Sequence, residues 1–165
     1  MPRKMTHADC DRSLREHLLK LLTAEQAHMS FDSAVKDVPA ELRGRRPGGA
    51  DHSPWELLEH LRIAQWDILD FSRNPKYKHL DWPKEYWPAT AAPPDDKAWD
   101  KSVRAFRKDL KTFCGLISDP ATDLYAKIPH GGGQTILREA LLIADHNAYH
   151  VGQLVLVKKM LASGA

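Results

Sequence analysis

The run Ala144-Asp145-His146-Asn147-Ala148-Tyr149-His150-Val151-Gly152-Gln153 decides how this chain is read. It lies inside the longest helical pattern, from about Thr135 to Leu161. Residues four apart share a helix face, so His146 and His150 sit one above the other. Three- and four-residue steps backward from the pair reach Leu142 and Ile143. Steps forward reach Gln153, Leu154, Val157 and Leu161. That face is mostly apolar, so both imidazoles are predicted to point inward. Buried imidazoles need partners for their nitrogens. One metal ion satisfies both, and a third ligand from elsewhere leaves room for water or substrate. Nine histidines in 165 residues make one such pair ordinary by chance, so its surroundings must carry the argument.

Working outward, three more helical stretches precede this one. The first is predicted from about Asp9 to Val35, with Leu14, Leu18, Leu21, Ala24, His28, Phe31 and Val35 in one stripe. The second has a sharp start: Ser53 can cap, Pro54 suits the first position, and Glu56 stands three after the serine. Its stripe is Leu57, Leu61, Ala64, Ile68 and Phe71, and Asn74-Pro75 ends it. The third runs from about Asp95 to Ser118 on Trp99, Val103, Phe106, Leu110, Phe113 and Ile117. Nothing alternates with a period of two over a strand's length. Four amphipathic helices without strands predict an all-α four-helix bundle.

The connections are rich in Pro and Gly. Residues 75–94 hold five prolines with Tyr77, Trp82, Tyr86 and Trp87, and a segment so aromatic is predicted to fold over the body. The glycine run Gly131-Gly132-Gly133 lacks the Lys-Ser/Thr of a phosphate loop.

Composition narrows the function. The length suits one domain over residues 1–165. A net charge of +2, from 24 Lys+Arg against 22 Asp+Glu, gives no nucleic-acid footprint. The short basic cluster Arg43, Arg45 and Arg46 reads as a solvated loop. Two cysteines, Cys10 and Cys114, need no disulfide framework and fit a reducing cytoplasm. The start Met1-Pro-Arg-Lys-Met-Thr-His7 has no apolar core of a secretion signal, and no apolar run is long enough for a bilayer. The expectation is a cytoplasmic protein that acts on a small molecule without nucleic acid or membrane, with a homodimer held by apolar helix surface as one option.

His60, near the start of the second helix and at the edge of its stripe, is the natural third ligand, because bundle sites use inward side chains of facing helices. His28 is a fourth candidate, read first as a core or pocket histidine. His7, His17, His52, His79 and His130 are expected in solvent. Gln153 could orient a ligand or make a packing hydrogen bond. Glu56 could accept from a ligand imidazole or only cap its helix. Other plans fit poorly. Asn147 stands where a zincin needs glutamate, no Gly-x-Ser-x-Gly elbow exists, and Glu139 stands seven before His146 rather than three. Cys114, beside Phe113, reads as a small packed hydrophobe.

These residues also carry a resemblance. The segments Ser53-Pro-Trp-Glu-Leu-Leu-Glu-His60-Leu, Thr135-Ile-Leu-Arg-Glu-Ala140 and Asp145-His146-Asn-Ala-Tyr-His150-Val-Gly-Gln153 resemble the DinB/YfiT-like superfamily. The resemblance covers nearly the whole chain. It implies an up-down-down-up four-helix bundle. It also implies a three-histidine metal site, and His60, His146 and His150 stand at the matching positions. The ion would be divalent, zinc or nickel first among those that suit imidazole. Relatives include metal-dependent hydrolases and thiol-dependent S-transferases such as mycothiol-dependent maleylpyruvate isomerases and bacillithiol transferases. The resemblance thus implies a metal-dependent enzyme, of hydrolase type or of thiol S-transferase type with a low-molecular-weight thiol as cofactor. The alternative is a non-catalytic stress-response or binding module whose metal is structural or vestigial.

Overall fold

The structure, a computed structural model, describes residues 4–164; the reading of the amino-terminal residues falls partly outside that range. The described residues form five α-helices: α1 His7–Thr23, α2 Phe31–Val35, α3 Pro54–Arg73, α4 Ala98–Ser118 and α5 Ile136–Ala162. Two short 3-10 turns, Ala40–Leu42 and Lys84–Tyr86, lie in the connections. Among the described residues the only β-type pairing is an isolated bridge between Lys127 and Thr135. No helix is long and apolar enough to cross a membrane.

The sharp start of α3 forms as its sequence dictates. Ser53 accepts from the Glu56 amide and the Glu56 carboxylate accepts from the Ser53 amide at 2.8 Å, which satisfies two otherwise orphaned donors. Asn74 ends the helix. Thr135 caps α5 by accepting from the Arg138 amide. Glu56 therefore caps α3, and it also pairs with Arg46.

The first predicted helix is not one helix. It stops at Thr23, and a short α2 begins after Ser30. The residues between offer the backbone local alternatives to a helical ladder. The Gln26 amide donates to the Lys20 carbonyl, the Glu25 carboxylate accepts from the Ser30 amide, and the Ser30 hydroxyl caps α2. The turn brings Phe31 onto Phe106, with ring centroids 3.8 Å apart. His28 consequently leaves the apolar stripe and is exposed. The third predicted helix begins at Ala98, three residues later than expected.

The basic cluster is more ordered than a solvated loop. Arg43 lies over the Trp99 ring at 4.9 Å and donates to the Val38 carbonyl, and Arg46 holds Glu56. Tyr77, Tyr86 and Trp87 fold down as predicted, but Trp82 is 67% exposed.

α3 packs against α4 and α5, and α1 packs against the same two helices. α5 touches α1, α2, α3 and α4, which explains why apolar residues occupy most of its faces. The core falls into two apolar clusters. One holds Leu57, Leu58, Leu61, Trp99, Phe106, Val151 and Leu154. The other holds Leu18, Leu69, Phe113, Ile117, Ala140 and Ile143. Along α5 the apolar run stops at Ile143 and resumes at Val151, and His146, Asn147 and His150 fill the gap. At the same level Asn147 donates to Gln65 Oε1 at 3.0 Å, and Gln65 donates to the Phe106 carbonyl at 2.7 Å.

Arg15 ties α1 to the end of α4. Its guanidinium donates to the carbonyls of Ile117 at 2.7 Å, Asp119 at 3.0 Å and Thr122 at 2.7 Å. A cation there also suits the negative end of the α4 dipole. Arg15→Met keeps the apolar stem and removes these bonds, so urea unfolding is expected to show a loss of about 2–4 kcal/mol. A loss below about 0.5 kcal/mol, the range of ordinary surface substitutions, would contradict this role.

Candidate metal centre

Three imidazoles meet in the polar gap. His60 comes from the second turn of α3, and His146 and His150 from successive turns of α5. His60 Nε2 lies 3.1 Å from His150 Nε2 and 3.1 Å from His146 Nε2. The three ligand atoms all lie within 4.8 Å of one another. His60 is 2% exposed and His150 9%, while His146 is partly open.

The outer nitrogens fix which inner ones carry hydrogen. His60 Nδ1 meets the Tyr86 carbonyl at 2.9 Å. A carbonyl only accepts, so Nδ1 is the protonated nitrogen and Nε2 presents a lone pair. His150 Nδ1 meets Gln153 Oε1 at 2.7 Å, with the same consequence. Two lone pairs then face each other across 3.1 Å, and no hydrogen bond can form between them. A cation at the common point relieves this. Ligand nitrogens at about 2.0–2.1 Å from a tetrahedral ion stand roughly 3.3–3.4 Å apart, close to the observed separations. The donor set therefore fits a divalent ion that accepts imidazole.

Electrostatics point the same way. Burial, with help from the neighbouring histidines, pulls the pKa of His146 down to about 3 and that of His150 down to about 4. Burial also lowers that of His60, against the opposing Tyr86 hydrogen bond. All three are neutral near pH 7, as metal ligands must be.

The aromatic loop completes the surroundings. Trp87 stacks on His60 with centroids 4.0 Å apart and planes 3° from parallel. His52 stacks on the other side of Trp87 at 3.9 Å, so it is not the solvated loop residue its position suggested. Tyr149 meets His150 edge-on at 4.8 Å and is itself exposed.

The structure thus brings His60, His146 and His150 together, and it leaves His28 and Glu56 out. Gln153 accepts from His150 Nδ1, which orients a candidate ligand, the first of its two readings. Two contributors were invisible in the sequence, the Tyr86 carbonyl and the His52 stack, and the partner of the Trp87 ring was unspecified. A backbone carbonyl has no residue signature, although the aromatic richness of residues 75–94 marks the segment that supplies it.

A helical protein with three inward histidines converging from two facing helices is the class that the fold and site define. The chain belongs to the DinB superfamily, whose sequence model matches residues 23–154 and so takes in all three histidines. No curated protein and no solved structure matches the chain.

The depressed pKa values give a pH dependence for the metal-free protein. An unfolded histidine titrates near 6.5, above the folded values, so the unfolded chain takes up protons first as the pH falls. Stability is therefore fully present above about pH 6.5 and declines as the pH drops below it toward the folded values. A His60→Gln/His146→Gln/His150→Gln variant is expected to show a shallower decline in urea midpoint between pH 7 and 5. Equal slopes would contradict it.

Proposed function

We propose that the protein is a metal-dependent enzyme that holds one divalent ion, zinc or nickel, through Nε2 of His60, His146 and His150. The observation that carries this reading is the convergence of three Nε2 atoms, two of them presenting lone pairs, that no fourth described residue joins. Among the described residues, the group that can hold an ion contains no carboxylate or thiolate. Three protein ligands with a fourth position left for water or substrate is the arrangement of catalytic rather than structural sites. When bound, a divalent ion carried by neutral imidazoles supplies Lewis acidity, which makes a water or a thiol nucleophilic near neutral pH.

The chain's own groups prepare that chemistry. The Tyr86 carbonyl and Gln153 hold two imidazoles in the metal-binding tautomer. Trp87 covers one face of His60 and keeps water from it, while partly open His146 marks the side for approach. The chain brings no thiol to the centre: Cys10 is exposed on α1, and burial pushes the Cys114 thiol up, which disfavours its thiolate. Thiol transfer would thus draw its sulfur from a small molecule, and hydrolysis would draw on water. Both reactions suit the site, with thiol S-transfer and hydrolysis as the two classes to assay.

The same reading takes residues 1–165 as one domain and the four long helices as an up-down-down-up bundle. Parallel α3 and α4 are supported by rising pairs, Ser102 with Glu59 and Phe106 with Gln65. Antiparallel α3 and α5 are supported by falling ones, His150 with His60 and Asn147 with Gln65. The connection from α3 to α4 supports it too, because it runs back past His60 to Ser53, which donates to the Ala91 carbonyl.

One observation favours the non-catalytic alternative. Two cavities of about 610 and 550 Å³ are lined by none of the three histidines. Cobalt-loaded protein separates the readings. Enzymatic use predicts one equivalent of Co²⁺, lost in a His146→Ala/His150→Ala variant, and a new sulfur-to-cobalt absorption band when 2-mercaptoethanol is added. A cobalt spectrum indifferent to added thiol, azide and imidazole means a closed structural site.

A further inference from the structure

We propose that Asp67 is a positioning residue for the metal centre: it clamps the hydroxyls of Tyr77 and Tyr86 and so fixes the carbonyl that orients His60. This role rests on the three-histidine reading above. Asp67 stands seven residues after His60, two turns along the same face of α3. It is 7% exposed, in a helix interior where a carboxylate without partners is costly. Its partners come from the aromatic loop. Tyr77 donates to Oδ1 at 2.9 Å and Tyr86 donates to Oδ2 at 2.7 Å. Each carboxylate oxygen thus takes one phenol, and both phenols come from the segment that covers the site.

Tyr86 is held at both ends. Its hydroxyl is fixed by Asp67, and its carbonyl accepts from His60 Nδ1. The residue lies along two turns of α3 like a brace. Trp87 follows it in the chain and is thereby set flat on the His60 ring. Releasing the hydroxyl frees the brace at one end, and the carbonyl that selects the His60 tautomer is then placed only by the chain around it. Partners one step behind a metal ligand set its orientation and basicity, and their loss weakens metal binding. Asp67 acts one hydrogen bond further out, through a residue whose backbone and side chain serve the same imidazole. The aromatic loop is accordingly a fastened strap over the centre.

The test uses the full chain, with Zn²⁺ affinity measured by competition with a chromophoric chelator and the Co²⁺ ligand-field spectrum as a report of geometry. Asp67→Ala is expected to weaken Zn²⁺ binding roughly 10- to 100-fold and to alter the cobalt spectrum. Tyr86→Phe, which removes one oxygen and no packing, moves both readouts in the same direction and carries the test if the alanine variant folds poorly. Asp67→Asn keeps an acceptor for one phenol and a donor for the other, and it recovers most of the affinity. Ser102→Ala removes a buried hydrogen bond from α4 to Glu59 of α3 without touching the loop, and it leaves both readouts unchanged. Asp67→Ala and Tyr86→Phe proteins that bind Zn²⁺ within twofold of wild type, with an unchanged cobalt spectrum, overturn this role whatever their thermal stability. A wild-type protein that takes up neither ion overturns the metal reading and this role together.

Discussion

Two imidazole lone pairs facing each other at 3.1 Å, with a third imidazole at the same distance from one of them, are the constraint around which the structure is arranged. Neutral His60 and His150 cannot satisfy each other there, since the outer nitrogen of each already holds its hydrogen. The folded chain nonetheless keeps them there, in a layer where the apolar runs of α3 and α5 are interrupted. Burial makes protonation an unfavourable escape. A shared cation would satisfy both lone pairs at once. A layer of this kind weakens the metal-free protein and rewards it when an ion binds, because binding to the folded state alone adds to its stability.

Everything around the layer holds the three nitrogens in place. The two apolar clusters fix α3 against α5 above and below it. The polar chain from Asn147 through Gln65 to the Phe106 carbonyl extends the layer to α4. The Ser53–Glu56 capping box sets where α3 begins, and with it the height of His60, which stands one turn beyond Glu56. The loop after α3 returns along that helix, anchored at Asp67 and again at Ser53, and lays one carbonyl and one ring on the most buried ligand.

How much of this could be read in the sequence depended on where the information lay. The start of α3 was legible because Ser53, Pro54 and Glu56 encode a cap within four residues. The inward face of α5 was legible because an apolar step pattern surrounds His146 and His150. The break after Thr23 was not. Leu21, Ala24, His28 and Phe31 keep helical spacing, and only the side-chain bonds of Glu25, Gln26 and Ser30 show that the backbone takes another course. The tautomer of His60 was illegible because a main-chain carbonyl decides it. Asp67 lay between these cases: its place two turns after His60 was visible, but its meaning depended on a loop whose path has no periodicity. The DinB superfamily match over residues 23–154 takes in the three histidines, and it says nothing of the loop's path.

The measurement that bears most directly on the account is X-ray absorption of the zinc-loaded protein in solution. The account predicts a shell of three imidazole nitrogens at about 2.0–2.1 Å, completed by an oxygen from water that a small thiol displaces. A shell closed by a fourth protein donor, or an ion bound without imidazole, would contradict it.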